Sequence, residues 1–357
     1  MIWNISATQT LNFSIINTPN ALAFDFANKS HRKIIIVDDS VYSLYHRKIQ
    51  LTTNDCLLIV KSSESTKNIN NVEVVTKFLD TIGVLRRSEP VIVIGGGVLL
   101  DLVGFCCSIY RRGVPYIRVP TTLLAIVDAS TGSKTGINHF GRRNRLGSYY
   151  PPILTIIDKQ FIATQSSREI SNGIAEILKL AIILDIELFE LIENNADQLI
   201  TDKFQIDIAQ NVIDLSINGM VNQLQPNMWE IKLERCVDFG HTFSPGIEMK
   251  NIDNLLHGEA VILDCLLSSC ISFNRNLVNE NELSRIFNVV TRSGLSTEHP
   301  DLYDIQLLMS NLTDVKKHRD GNQFLTLPCG IGNHLIVNDV TDSEISNALS
   351  VIKKYNE

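Results

Sequence analysis

Two patterns of hydrophobic and polar residues follow each other along the chain. In the first half, five short apolar runs predict buried strands over residues 33–39, 56–60, 91–97, 116–120 and 153–158. Apolar residues at helical spacing over 72–85 and 98–110 predict helices between these strands. Strands that alternate with helices are typical of an α/β layer with a largely parallel sheet, which is a nucleotide-binding architecture.

The second half consists mainly of long amphipathic runs. These predict helices over residues 168–194, 205–224, 257–274 and 280–293. A short strand pair near 323–327 and 334–337 and a capped helix after Thr341 follow. With 357 residues the chain exceeds the usual size of a single core. We therefore expect an α/β nucleotide-binding domain over 1–164 and a mostly α-helical domain over 165–357.

One stretch, residues 91–110, is long and apolar enough to suggest a membrane span, with Asp101 as its single charge. Its three consecutive glycines disfavour a spanning helix and suit a buried strand that turns sharply into a helix. The start of the chain also lacks a basic segment followed by an apolar one, and the seven cysteines show no CxxC spacing. We expect a cytoplasmic protein without a membrane partner.

The net charge is −7, yet residues 111–145 are strongly basic. No aromatic residues interleave with these basic residues as stacking platforms would, and the rest of the chain is acidic, so nucleic acid is disfavoured as a partner. The segment predicts a site for a small phosphate ester. Against Asp128 alone it holds Arg111, Arg112, Arg118, Lys134, Arg142, Arg143 and Arg145.

Three sets of residues are candidates for chemistry. The run VIVIGGGVLLD places glycines where a strand meets a helix, so backbone N–H groups could bind a pyrophosphate, although such turns are common and this is not the GxGxxG motif. Glu176, His241 and His257 would suit catalytic zinc with an open coordination position. Their wide spacing leaves open that each histidine is simply a buried core residue.

Lysines and an asparagine complete the candidates. Lys134 lies among small residues in DASTGSKTGIN, and Asn144 lies between arginines in GRRNRLG, which could grip phosphate oxygens or form a solvated loop. Lys179 follows Glu176 by three residues on one helical face, where it could be catalytic or form a surface ion pair.

These motifs occur together and in order in the chain: IGGGVLLDLVGF, YRRGVPYIRVPTTLLAIVDAS, KTGIN, NRLGSYYPP, NGIAEILK, FGHT and HGEAV. In this respect the chain resembles dehydroquinate synthase and its relatives, the sugar-phosphate cyclases, over roughly residues 30–335. The resemblance implies their two-domain fold and an NAD- and metal-dependent phosphate lyase. It also implies a homodimer in which Arg112 reaches across the interface.

The resemblance implies roles for individual residues. NAD would be bound by Asp38, Glu64, Lys67, Gly95, Gly96, Gly97, Asp101, Thr121 and Thr122, and zinc or cobalt by Glu176, His241 and His257. The substrate and its phosphate would be handled by Lys134, Asp128, Lys179, Asp238, Asn144 and Arg112. In this family NAD is used transiently: oxidation, phosphate elimination, re-reduction and an intramolecular aldol closure follow one another without net redox change.

Departures from dehydroquinate synthase indicate the substrate. Met220 and Glu234 stand where a lysine and an arginine bind a carboxylate in that enzyme, and an apolar residue and an anion cannot replace that grip. Asp238 and Pro245 also replace an asparagine and a histidine. The sequence of this region, residues 224–249, resembles that of the sedoheptulose 7-phosphate cyclases, above all the 2-epi-5-epi-valiolone synthases.

We therefore expect conversion of sedoheptulose 7-phosphate to 2-epi-5-epi-valiolone and phosphate. Alternatives are a 2-epi-valiolone or desmethyl-4-deoxygadusol synthase, a 3-dehydroquinate synthase, a metal-dependent alcohol dehydrogenase of similar fold, or a non-enzymatic NAD- or sugar-phosphate-binding module. The role of Arg143, where the group usually has lysine, stays open. Lys316 and Lys317 could lie near the phosphate or could be solvated.

Overall fold

The computed structural model describes Trp3, residues 12–24 and residues 32–357, so most of the N-terminal stretch considered above lies outside the described residues. Within these ranges the strands are β1 (Ser14–Asn17), β2 (Ile34–Asp38), β3 (Cys56–Val60), β4 (Val91–Gly95), β5 (Tyr116–Pro120), β6 (Lys134–His139), β7 (Arg142–Tyr149), β8 (Leu154–Ile157), β9 (Leu325–Pro328) and β10 (His334–Val337).

The α-helices of the same ranges are α1 (Asp39–Tyr45), α2 (Ile69–Thr81), α3 (Gly97–Ile109), α4 (Ser167–Leu184), α5 (Ile186–Thr201), α6 (Ile208–Leu224), α7 (Ser244–Lys250), α8 (His257–Asn274), α9 (Glu280–Arg292), α10 (Ile305–His318) and α11 (Asp342–Asn356). A π-helical turn covers Ala125–Ala129, and a 3₁₀ turn covers Cys236–Asp238.

Six strands form one parallel sheet in the order β1-β8-β5-β4-β2-β3. Strands β2, β4 and β5 are buried along their whole length, which explains why their sequences are continuous apolar runs rather than alternating ones. The order in which successive strands are added to the sheet changes sides between β2 and β4: β3 lies beyond β2, whereas β5 lies beyond β4. Ligands of parallel α/β sheets bind at such a switch point, beyond the carboxyl ends of the strands.

The suspected membrane stretch, residues 91–110, is divided between β4 and α3, as the glycines predicted. None of the helices in the described residues is both long and apolar enough to cross a bilayer.

One interpretation of a basic segment is wrong. Residues 141–147 do not form a solvated loop, because β7 pairs with β6 in an antiparallel hairpin with an irregularity between Ile137 and His139. The alternating exposed and half-buried residues of β7 are typical of an edge hairpin with one face against the protein. The hairpin places Lys134 at its start and Asn144 near its tip.

The helical half is centred on α4 and α8, which pack against each other and are buried around nearly their full circumference. The single helix predicted over 168–194 is two helices. Asp185 has extended backbone between α4 and α5, and its carboxylate accepts a hydrogen bond from the N–H of Leu188 at 3.1 Å. It therefore ends one helix and caps the next. Helix α10 was not predicted.

Candidate active site and metal centre

A cavity of about 800 Å³ lies between the carboxyl end of the sheet and the helical half. It begins at the ends of β2 and β4, where the sheet order reverses, and extends to the first residue of α8. This single cavity is lined by residues from every candidate set that the sequence suggested: the glycine turn, the histidines and the lysines.

The proposed metal ligands converge, although 65 and 16 residues separate them along the chain. One potential ligand atom each from Glu176, His241 and His257 falls within 4.8 Å of the others. Glu176 is fully buried on α4, while His241 and His257 face the cavity. Oε1 of Glu176 lies 3.1 Å from Nε2 of His257 and 3.9 Å from Nε2 of His241.

This donor set fits a divalent metal ion. The two carboxylate oxygens of Glu176 are buried and lack well-directed hydrogen bonds, although Nζ of Lys179 lies 2.5 Å from Oε2. Two imidazoles and one carboxylate are the ligand types of a catalytic zinc site that keeps a position for substrate. The remaining lone pairs of Glu176 are therefore available to an ion held between this carboxylate and the two imidazoles.

The protonation states of two of the three candidate ligands favour metal binding. Burial and the nearby Lys179 ammonium lower the pKa of His241 to about 3, so its imidazole is neutral, as a ligand must be. Burial raises the pKa of Glu176, but Lys179 and the histidines outweigh it and hold that pKa well below the ordinary range. Glu176 is thus a carboxylate.

The third candidate ligand, His257, is oriented by a carboxylate that was not predicted from the sequence. Nδ1 of His257 lies 3.0 Å from Oε2 of Glu248, a nearly buried residue of α7. Burial lowers the pKa of His257, but Glu248 and Glu176 raise it to about 9. An ion bound at Nε2 would replace a proton there, and Nδ1 would keep donating to Glu248.

Arg143 lies behind this pair. Its Nη1 is 2.5 Å from Oε2 of Glu248 and 2.5 Å from Nδ1 of His257, and its Nε is 3.5 Å from Oε1 of Glu64. Both Arg143 and Nδ1–H are donors, so they share Glu248 as their acceptor. Arg143 therefore links a candidate metal ligand to the side of the cavity where NAD was expected. These contacts give Arg143, whose role the sequence left open, a defined structural position.

The expected NAD residues line one end of the cavity, with one exception. Gly96 caps α3 and Gly97 begins it, and a Cβ on Gly96 would lie 3.3 Å from Cγ2 of Thr122, which leaves little room for a side chain beside the turn. Gly95 packs instead inside the sheet. The residues of this set that line the cavity are Asp38, Glu64, Lys67, Gly96, Gly97, Asp101, Thr121 and Thr122.

Two of these residues form an ion pair between buried Lys67 and half-buried Asp101. Nζ of Lys67, which is 2% exposed, donates to Oδ2 of Asp101 at 2.6 Å and to Oδ1 of Asn144 at 2.7 Å. Asp38 has a structural duty as well, because its Oδ1 accepts the N–H of Ser40 at 2.9 Å and so caps α1.

Asp128 and Lys179 flank the metal ligands. Asp128 lies on the π-helical turn Ala125–Ala129, a distortion that often occurs at functional sites. Burial and the Glu176 carboxylate raise the pKa of Asp128. Burial lowers the pKa of Lys179, but Glu176 and Asp128 raise it above the ordinary value. The interpretation of Lys179 as a surface ion pair is wrong, because its side chain is buried at the cavity.

A chain of alternating charges borders the opposite end of the cavity. Lys134 forms an ion pair with Glu230, Glu230 with Arg235, and Arg235 with Asp238 at 3.4 Å from Nη1 to Oδ1. Arg319 closes the chain 3.4 Å from Oδ2 of Asp238. Burial raises the pKa of Asp238, but Arg235, Lys134 and Arg319 lower it overall.

Several basic residues have duties other than binding an anion in this cavity, so the basic segment is less uniform than its composition suggested. Arg118 is fully buried and donates to the carbonyls of Ala129, Gly132 and Lys134 at 2.8–3.3 Å. Arg142 forms an ion pair with Asp314 on α10. Arg112, Lys316 and Lys317 are not among the described residues that line the cavity.

Three residues of the cavity were not predicted from the sequence: Glu248, Arg235 and Glu230. The first two lie next to motifs that could have indicated them. Glu248 follows His241 by seven residues in FGHTFSPGIEM, and Arg235 directly follows Glu234. Glu230, in the loop before Arg235, has the left-handed backbone φ of 53°, which no sequence pattern indicates for a glutamate.

Comparison with known proteins identifies the family of this chain. Residues 57–172 match the profile of the 3-dehydroquinate synthase N-terminal domain, and residues 173–318 match that of the C-terminal domain. The chain belongs to the 3-dehydroquinate synthase family.

Within this family the chain is similar to 2-epi-5-epi-valiolone synthases. That of Streptomyces albus is 45% identical over 90% of this chain and 80% of the relative. The solved structure of the Streptomyces hygroscopicus enzyme, with NAD⁺ and Zn²⁺ bound, is 41% identical, covers 99% of both chains and has a TM-score of 0.95. The demethyl-4-deoxygadusol synthase of Trichormus variabilis is 35% identical over 94% of this chain and 85% of the relative.

Proposed function

We propose that the protein is an NAD- and metal-dependent sugar-phosphate cyclase that converts sedoheptulose 7-phosphate into 2-epi-5-epi-valiolone and phosphate. The observation that carries this proposal is the donor triad of Glu176, His241 and His257 in a fold that matches a valiolone synthase over 99% of both chains. The reaction oxidises a hydroxyl transiently, eliminates phosphate, restores the hydroxyl and closes the carbocycle by an intramolecular aldol step.

The cavity divides naturally into a cofactor end and a substrate end. Gly96, Gly97, Thr121 and Thr122 would hold NAD at the carboxyl end of the sheet, while the triad would hold zinc or cobalt between the two ends. When bound, NAD supplies reversible hydride transfer and the metal ion supplies Lewis-acid polarisation of the reacting oxygen.

The protein's own residues would handle charge and protons. Lys134 is 58% exposed and Asn144 faces the cavity, so both can turn toward the substrate phosphate and stabilise it as it leaves. Asp128, whose pKa is raised by burial and by Glu176, and Lys179, which pairs with Glu176, would hold the proton that is transferred during the reaction. The carboxylate of Asp238 would accept hydrogen bonds from substrate hydroxyls.

A substrate without a carboxylate suits the residues at this end. Met220 lines the cavity as an apolar side chain, and Asp238 adds a negative charge. Glu234 is exposed and does not contribute to the lining, so its effect on specificity cannot be direct contact in this arrangement. Sedoheptulose 7-phosphate presents a neutral hydroxymethyl group here, which these residues can accommodate.

The organisation of the protein forms part of the proposal. Residues 1–164 would form the NAD-binding domain and residues 165–357 the metal- and substrate-binding domain, in a cytoplasmic enzyme. Arg112, exposed on a turn with the positive φ of 60°, would reach the phosphate of a partner subunit in a homodimer.

A direct assay tests the function. Purified protein is incubated with NAD, zinc or cobalt, and sedoheptulose 7-phosphate; released phosphate is measured and the carbocycle is identified by NMR. We expect one phosphate per ring formed and no accumulation of NADH, whereas net NADH production would indicate a dehydrogenase. Glu176→Ala is the matched control, and metal-dependent turnover by that variant would remove the assignment of the metal site.

A further inference from the structure

The cavity contains an arginine, Arg235, directly after Glu234, the position at which the sequence indicated that a carboxylate-binding cation had been lost. The arginine that binds a carboxylate in dehydroquinate synthases is replaced by Glu234, but the next residue, Arg235, lines the cavity. Its side chain is 11% exposed and precedes the 3₁₀ turn Cys236–Asp238. The loss of a cation at position 234 therefore does not by itself explain how a carboxylated substrate would be excluded.

Arg235 is, however, already paired with carboxylates. Its Nη1 contacts Oε1 of Glu230 and lies 3.4 Å from Oδ1 of Asp238. Glu230 is in turn fixed from two other directions: Lys134 contacts the same Oε1, and the hydroxyl of Tyr149 donates to Oε2 at 3.0 Å. The guanidinium thus meets a nearly buried, fully engaged carboxylate.

The backbone of Glu230 supports a specific role. Its φ of 53° is left-handed, a backbone conformation that is strained for a non-glycine residue. Such a conformation persists only where surrounding contacts hold it, and the ion pairs of Glu230 with Lys134 and Arg235 are contacts of that kind.

The charges of this region nearly balance. Three cations, Lys134, Arg235 and Arg319, alternate with two carboxylates, Glu230 and Asp238. A substrate carboxylate brought to Arg235 would lie beside both protein carboxylates and would have to displace one of them. A hydroxymethyl group carries no charge and can donate to either carboxylate, so the same region accepts it without this repulsion.

We infer that Glu230 is a specificity-determining residue, which neutralises Arg235 and thereby excludes sugar phosphates that carry a carboxylate. This inference rests on the proposed function, since it concerns the choice between sedoheptulose 7-phosphate and the carboxylated seven-carbon sugar phosphate used by 3-dehydroquinate synthases. Carboxylated substrates would thus be excluded by Glu230 within the cavity, in addition to the replacement of a lysine by Met220 and of an arginine by Glu234.

The test is a competition between the two substrates in wild-type protein and Glu230→Gln. The amide preserves the shape but removes the charge, so Arg235 becomes available to a substrate carboxylate. We expect kcat/KM for the carboxylated substrate, divided by that for sedoheptulose 7-phosphate, to rise about tenfold or more. Release of Lys134 would affect both phosphate esters alike and cancels in this ratio.

Glu234→Gln is the matched control, because it makes the same charge change four residues away on an exposed side chain. Its ratio should equal that of the wild type. The double variant Glu230→Gln/Arg235→Gln should return the ratio toward the wild-type value, which ties the effect to the guanidinium. A ratio for Glu230→Gln within about twofold of wild type, or one that Arg235→Gln does not reverse, overturns the inference.

Two further measurements keep the inference separate from the proposed function. Calorimetric binding of the carboxylated sugar phosphate to the NAD-loaded protein should be at least about tenfold tighter in Glu230→Gln than in the wild type, and equal binding overturns the inference even if neither protein turns over. If wild-type protein does not cyclise sedoheptulose 7-phosphate, the proposed function fails instead. Should Glu230→Gln not fold, Glu230→Asp withdraws the carboxylate from Arg235 and should move the ratio in the same direction.

Discussion

Nδ1 of His257 lies 3.0 Å from a carboxylate oxygen of Glu248, so a metal-ligand candidate at the start of α8 is oriented by a residue of α7. Donation from Nδ1 leaves Nε2 facing Glu176, at 3.1 Å from Oε1. The partner of the second ring nitrogen sets which nitrogen binds a metal and how the ring is turned. Glu248 is thereby connected to the candidate metal centre without being one of its candidate ligands.

Substitution of this carboxylate should weaken metal binding. We expect Glu248→Gln to lower the affinity for Co²⁺ by about 10- to 100-fold, because the amide is a weaker acceptor and also removes the nearer of the two carboxylates that pair with Arg143. Titration of metal-stripped protein, followed by the visible absorption of bound Co²⁺, measures this directly. Glu187→Gln, on the exposed side of α5, is the control, and equal affinities of the two variants would contradict the role of Glu248.

Much of this centre followed from the sequence because its residues lie in long motifs. Glu176, His241 and His257 converge as the resemblance implied, and the strand-turn-helix around Gly96 sits at the switch point of the sheet. The apolar runs identified the central parallel strands because a strand that is buried on both faces has apolar residues at nearly every position.

The elements that were missed depend on tertiary contacts. The hairpin of β6 and β7 is rich in arginine and glycine, and only its position against the protein decides that it is a strand pair. The break at Asp185 is a local cap inside a continuous amphipathic run. The ion pairs of Glu230 and Arg235 depend on the path of an irregular loop, which hydrophobic periodicity does not describe.

Arg118 should be a stability residue rather than an anion-binding one. It is buried and donates to three carbonyls that lead to Lys134, so Arg118→Met leaves those acceptors without their donor. We expect the free energy of unfolding to fall by about 3 kcal/mol. Urea unfolding measures the loss, and exposed Arg145→Met should change stability by no more than about 0.5 kcal/mol. An equally small effect of Arg118→Met would restore the anion-binding interpretation.

The pair of Arg275 and Glu344 gives a pH dependence of stability. Hydrogen bonds from Arg275 at 2.7 and 3.1 Å lower the pKa of Glu344 to about 2 from an ordinary value of 4.5. Because the folded-state pKa is depressed, the stabilisation is present above about pH 4.5 and is lost as the pH falls toward 2. The stability difference between wild type and Glu344→Gln should therefore narrow over that interval in urea unfolding series. A difference that stays constant with pH would show that the charge of Glu344 contributes nothing.

If each subunit contributes Arg112 to its partner's site, as proposed, mixing two inactive variants should restore activity. Arg112 is exposed on a turn with left-handed backbone at Arg111 and Arg112, and it does not line the cavity of its own chain within the described residues. In a dimer of Arg112→Ala with Glu176→Ala, one site has both an intact metal ligand and an intact arginine from its partner, whereas the other has neither.

Random exchange of subunits places half of the chains in such mixed dimers, so the mixture should recover about a quarter of wild-type activity. Each variant is assayed alone as the baseline, and analytical ultracentrifugation follows the assembly state. Recovery should appear only after conditions that allow subunits to exchange. A monomeric wild-type protein, or a mixture that stays at the baseline although mixed dimers form, would show that Arg112 does not complete a partner's site.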